Sequence, residues 1–208
     1  MSADSTTRIF LVRPGATDLD EQGRITGTLD VPLSQLGRRQ IQQLAVQTTE
    51  FDLQAVYSSP SVAARDTAKA IALSRKIRVR VVEQLRNVDH GLWQGKEIEE
   101  LRATQPKIAR QWEDHPETVC PPGGEPIEMV LPRINQLLKK IRKKHKSASV
   151  AIVVADPLAR LVANILLDGE QSTQPNNTTL LMRCGTLETL QLDDSHLSKA
   201  KLAQASGS

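Results

Sequence analysis

A chain of 208 residues with 39% hydrophobic and 25% charged residues sits near globular averages, which excludes a disordered or fibrous class and predicts one buried core. Lysine plus arginine outnumber aspartate plus glutamate by only 27 to 24, too small an excess to imply a nucleic-acid partner. No window approaches the roughly 18 uninterrupted apolar residues of a membrane span, and MSADSTTRIF lacks a basic-then-apolar leader, so no membrane partner and a cytoplasmic location are expected.

With aromatic residues at 2%, the core must be built from Leu, Val, Ile and Ala. The first apolar run, TRIFLV (residues 7–12), reads as a buried strand, and a loop rich in Gly, Asp and Thr follows it through Pro32. LSQLGRRQIQQLAVQTT then offers Ser34 as a helix cap, with Leu36, Ile41, Leu44 and Val46 at helical spacing. LQAVYSS returns to strand character, SVAARDTAKAIALSR is helical, and IRVRVVEQL alternates as a strand does.

HGLWQG forms a turn, followed by short helical stretches around residues 98–101 and 108–112. HPETVCPPGGEP separates these from a longer helix over residues 127–144, and the segment 91–126 reads as a lid-like insertion in a single domain spanning 1–208. ASVAIVVA is the strongest buried strand and PLARLVANILL a helix. TTLLMRC and TLETLQLD form a hairpin turning at Gly185, and the tail from about residue 195 is expected to be flexible.

Strands alternating with helices predict a three-layer α/β/α sandwich with a mostly parallel central sheet. Ligands of such sheets sit at the carboxyl ends of the strands, which singles out the loops after Val12, Ser58, Leu85 and Val154. The basic run KKIRKKHK (residues 139–146) falls at a helix C-terminus, where cations complement the dipole and stay solvated. Cys120 and Cys184 stand outside any metal or disulfide spacing and read as two small buried thiols. His115, His145 and His196 fall in segment, basic-run and tail contexts that predict solvation. Asp18, Asp20, Asp89 and Asp156 lack a magnesium-ligand spacing, so neither metal nor cofactor is expected.

Six segments in order resemble the histidine phosphatase superfamily, the phosphoglycerate mutase-like family: LVRPGAT, GRITGTLDVPLSQLGRRQ, YSSPSVAARDTAKAI, LRNVDHGLWQG, PPGGEP and VAIVVADPLARLVANIL. The resemblance implies a histidine phosphoacceptor after the first strand, and Pro14 stands there. It implies two arginines that neutralise the transferring oxygens; Arg13 is the first and Ala63 stands at the second. It places Asn87 where the family has a general acid and Ala155 where it has a second histidine, a one-residue slip giving Asp156 instead.

The expectation is therefore a pseudoenzyme that binds a phosphorylated small molecule or a protein partner. The enzyme alternative is a phosphatase or phosphoglycerate mutase-type activity that does not need a phosphohistidine. Candidates for holding an anion are Arg13, Gly15 with its loop N–H groups, Arg24, Ser59 and Arg160. Against that, Arg13 has Asp20, Asp89 and Asp156 as prospective carboxylate partners. Asp156 either repels an anion or caps the helix that begins at Pro157, and His90 either packs or serves as a substitute acid or base.

Overall fold

The computed structural model describes residues 7–73, 75–115, 118–168 and 179–182. Five strands form one sheet: β1 (Arg8–Val12), β2 (Leu53–Ser58), β3 (Val79–Val81), β4 (Ser149–Val153) and β5 (Thr179–Met182), in the order β3-β2-β4-β1-β5. All four neighbouring pairs run parallel, with Val12 opposite Val153 and Ser58 also opposite Val153. The carboxyl ends of β1, β2 and β4 therefore finish side by side.

The near-continuous apolar character of β1 and β4 follows from burial on both faces. Ile9, Leu11, Val150 and Ile152 point into one core cluster with α6 (Ile127–Lys144) and α7 (Leu158–Asp168). Phe10, Val12, Ala151 and Val153 point into the other, against α2 (Gln35–Gln47) and α3 (Val62–Leu73). Alternation with a period of two thus fixes which helices each strand residue meets.

Ser34 caps α2 as expected, its side chain accepting from Gly37 N–H at 3.0 Å. Of the apolar positions read along that helix, only Leu44 is fully buried; Leu36 is exposed and Val46 is 71% exposed. The IRVRVVEQL alternation overstates its strand. β3 stops at Val81, and a short 3-10 turn over Glu83–Leu85 drives Leu85 into the core.

The segment 91–126 contains α4 (Ile98–Thr104) and α5 (Pro106–Asp114). These pack Trp93, Leu101 and Ala109 around Ile25 in a small third cluster. Backbone hydrogen bonds pin this segment to the loop after β1: Ile25 N–H to Lys96 O at 2.9 Å, Gly95 N–H to Ile25 O at 2.8 Å and Ile98 N–H to Gly23 O at 2.9 Å. Cys120 is exposed rather than buried, on the proline- and glycine-rich stretch that leads to α6. Cys184, His196, the hairpin turn at Gly185 and the tail from about 195 lie outside the described residues. No described helix is long and apolar enough to cross a membrane.

Candidate functional site

The loops following β1, β2, β3 and β4 converge on a cavity of about 730 Å³, and α4 and α5 supply a further wall. Every residue singled out as an anion-binding candidate lines it, as do Pro14, Ala63, Asn87 and Ala155. Apolar side chains, among them Ile25, Leu29, Val31, Ile98 and Trp112, form much of the rest. Five arginines (13, 24, 86, 102, 160) face five carboxylates (Asp20, Asp30, Glu83, Glu113, Asp156) around the lining. Its formal charge is thus balanced, and the cavity is no strongly cationic funnel.

Arg13 leaves the end of β1 and is 19% exposed at its side chain, with Nε 3.0 Å from Asp156 Oδ2. That contact pairs opposite charges but lacks the alignment of a hydrogen bond, so Nε is buried without a hydrogen-bond acceptor. Among the described residues nothing accepts from its Nη groups, and the residue borders the cavity. Of the three carboxylates proposed for Arg13, only Asp156 reaches it. Asp20 is held by Thr17, whose N–H and hydroxyl both donate to its Oδ2 at 2.7 Å. Asp89 accepts from Gly91 N–H at 2.8 Å.

The loop N–H groups after Arg13 are engaged inside the fold, contrary to their expected service to an anion. Gly15 N–H donates to Thr67 Oγ1 at 3.0 Å and Ala16 N–H to Gln40 Oε1 at 2.9 Å. The physical reason is a close approach: a Cβ on Gly15 would lie 2.6 Å from Gly37 O, so the loop sits on the start of α2 with its donors turned inward. Arg24 is likewise committed, donating to Gln22 Oε1 at 3.0 Å, Gly95 O at 2.8 Å and Glu97 Oε1 at 2.6 Å, and it fastens α4's entry to the first loop.

Ser59 is 3% exposed and shares a hydroxyl contact of 3.1 Å with Ser61. Arg160 donates to Glu113 O at 3.1 Å, while its Nε lies 3.8 Å from Asp156 Oδ2.

Asp156 does not cap α7. Its carboxylate turns to Arg13, and the capping acceptor is Asn87 Oδ1, which receives Leu158 N–H at 3.3 Å. Asn87 Nδ2 donates to Asp156 O at 2.8 Å and to Gly27 O at 3.0 Å, so this one amide joins the loops after β1, β3 and β4. Sequence reasoning missed that role, because nothing local to Asn87 announces three partners so distant along the chain.

His90 is 3% exposed and meets Trp112 edge-on, the ring centroids 5.6 Å apart. Trp112 Nε1–H donates to His90 Nε2 at 3.3 Å, and Nδ1 is buried without a formed hydrogen bond. Burial holds this imidazole below its ordinary pKa, outweighing the opposite pull of Asp89 and of the Val88 backbone. His145 is not simply solvated: its Nε2 lies 2.9 Å from Tyr57 Oη and 3.4 Å from Arg80 Nη1. Desolvation, then Arg80 and Lys144, lower its pKa. Among the described residues no group of three or more His, Cys, Asp or Glu is arranged to hold a metal ion.

The model of the histidine phosphatase superfamily (branch 1) matches residues 9–202, and the chain belongs to that family. Phosphoserine phosphatase 1 of Hydrogenobacter thermophilus is 32% identical over 146 residues, 70% of this chain and 69% of that protein. Phosphoglycerate mutase-like protein 4 of Arabidopsis thaliana is 31% identical over 172 residues, 76% of this chain and 75% of its own. Among solved structures, a mycobacterial glucosyl-3-phosphoglycerate phosphatase complexed with VO3 superposes with a TM-score of 0.70 at 28% identity, covering 76% of this chain and 80% of that one.

Proposed function

We propose that this protein binds a phosphate monoester in the cavity at the carboxyl end of the sheet, without turnover through a phosphohistidine. The observation that carries the reading is Arg13. It is a largely buried guanidinium at the end of a central strand, with Nη groups that nothing among the described residues accepts from, beside the small and apolar Pro14, Ala63 and Ala155. The guanidinium suits a phosphoryl oxygen. Pro14, Ala63 and Ala155 offer neither a nucleophile nor a general acid. His90 is no substitute phosphoacceptor, since the lone pair of Nε2 already receives the Trp112 N–H and Nδ1 is buried.

The second reading is phosphatase or mutase turnover, and the names of the relatives favour it over an inactive protein: the similar proteins carry phosphatase and mutase names. The two readings share the ligand class and differ in the fate of the ester.

The test of binding is the melting temperature of the purified protein with inorganic phosphate, vanadate and a panel of phosphate monoesters, repeated with Arg13→Ala. Saturation to a hundredfold over the dissociation constant stabilises by about 2.7 kcal/mol, so the expected result is a rise that the variant loses. No rise with any of these anions would turn attention to a protein partner.

A further inference from the structure

We propose that Asp156 is a resident anion at the phosphate subsite, so that an incoming oxyanion shares Arg13 with its carboxylate and is held more weakly than by the guanidinium alone. This inference rests on the phosphate-binding reading above and adds the residue that limits it. The carboxylate lies between two guanidiniums, its Oδ2 3.0 Å from Arg13 Nε and 3.8 Å from Arg160 Nε. A phosphate oxygen approaching the same pair meets a negative charge already in place, and two anions within about 4 Å repel strongly in a partly buried site.

Among the described residues the carboxylate has no other partner than these two arginines. The helix that an Asp-Pro pair usually caps receives its acceptor from Asn87 Oδ1 at 3.3 Å, and the Asp156 backbone carbonyl is held at 2.8 Å by the same Asn87 amide. The main chain is thus anchored independently of the side chain, which is 38% exposed and borders the cavity. The other two aspartates of the lining differ on this point. Asp20 completes the cap of α1 (Asp18–Glu21), and Asp30 Oδ1 accepts Val62 N–H at 2.6 Å at the start of α3. Of these three aspartates, Asp156 is the one placed to exchange its partner for a ligand without loosening a helix.

The geometry is that of a competitive internal ligand, and removing its charge should expose Arg13 and Arg160 together. The experiment is calorimetric titration of inorganic phosphate and of vanadate into the wild-type protein, Asp156→Asn, Asp156→Ala and the double variant Arg13→Ala/Asp156→Asn, with circular dichroism on each. The expected result is binding about tenfold to hundredfold tighter in Asp156→Asn, the range of one charge-assisted contact. Asp156→Ala should follow it, and the double variant should lose the gain.

Wild-type binding that a folded Asp156→Asn leaves equal or weaker overturns the resident-anion role alone. Binding in Asp156→Asn with none in the wild type upholds that role and overturns phosphate binding by the natural protein. Absence of binding in both overturns both. Should Asp156→Asn fail to fold, Asp156→Ala decides on the same terms.

Discussion

Two basic regions of this molecule treat their charges in opposite ways. Around the cavity, Arg13, Arg24, Arg86, Arg102 and Arg160 each lie within 4.0 Å of a carboxylate: Asp156, Glu97, Glu125, Glu113 and Asp156 again. At the end of α6, Lys139, Lys140, Arg142, Lys143, Lys144 and Lys146 are all exposed, and none has an ion-pair partner among the described residues. Arg13, 19% exposed, is largely withdrawn from water, while Arg86, Arg102 and Arg160 are about half exposed, so the fold provides counter-charges at a recess that solvent still reaches. The helix end leaves its cations in water, with the dipole compensating those of the last turn. The density of basic residues along the sequence therefore points away from the place where positive charge is organised.

The helix α6 contains both regimes, which makes the comparison open to direct attack. Arg133, 17% exposed at its side chain, lies 3.1 Å from Glu125, itself 14% exposed, and also donates to Gln84 O and Arg86 O. Arg133→Ala strands Glu125 with only the more exposed Arg86, 3.5 Å away, and should cost about 3 kcal/mol in urea unfolding. A loss below about 1 kcal/mol would place Arg133 in the solvated class.

Histidines sharpen the contrast at the next level. Burial lowers the pKa of His90 in the cavity wall and of His145 at the end of α6, so the folded protein binds fewer protons than the unfolded chain below the ordinary imidazole value of 6.5. Stability rises with pH where the unfolded state holds more protons. It should be complete above about pH 6.5 and fall as the pH drops from there toward the lowered folded values. Melting curves from pH 7.5 to 5.5 test this. His90→Phe, which keeps an aromatic ring against Trp112, should flatten the decline more than His145→Gln, because His90 is the more buried. The smallest effect belongs to Lys143→Ala. It relieves like-charge pairing with Lys139 one turn away and should change stability by no more than about 0.5 kcal/mol.

Much of the scaffold was legible in the sequence because its signals are local. The apolar runs of β1 and β4, the Ser34 cap and the span of α6 all follow from neighbours within a few residues. IRVRVVEQL misled because its alternation continues past Val81, where the chain leaves a sheet edge and Leu85 is drawn into the core by contacts made in the third dimension. The loops that line the cavity were legible too, since a parallel sheet opens its crevice at the strand ends.

The partners within the site were legible only in part. Asp156 was one of three carboxylates open to Arg13 and also spelled a helix cap, and the register of β1 beside β4 selects it as the partner. His145 sits in a run of lysines, yet Tyr57 and Arg80 reach it from β2 and β3. Gly15 advertises an anion loop, while Thr67 from α3 takes its N–H.

The most direct test of the central claim is release of phosphate from p-nitrophenyl phosphate and from phosphoserine by the purified wild-type protein and by Arg13→Ala, with thermal shifts by phosphate and vanadate measured on the same samples. The expected result is thermal shifts that depend on Arg13 and no turnover that does. Steady phosphate release by the wild type, abolished by Arg13→Ala, would contradict it and establish the protein as a working phosphatase with an unfamiliar set of catalytic groups.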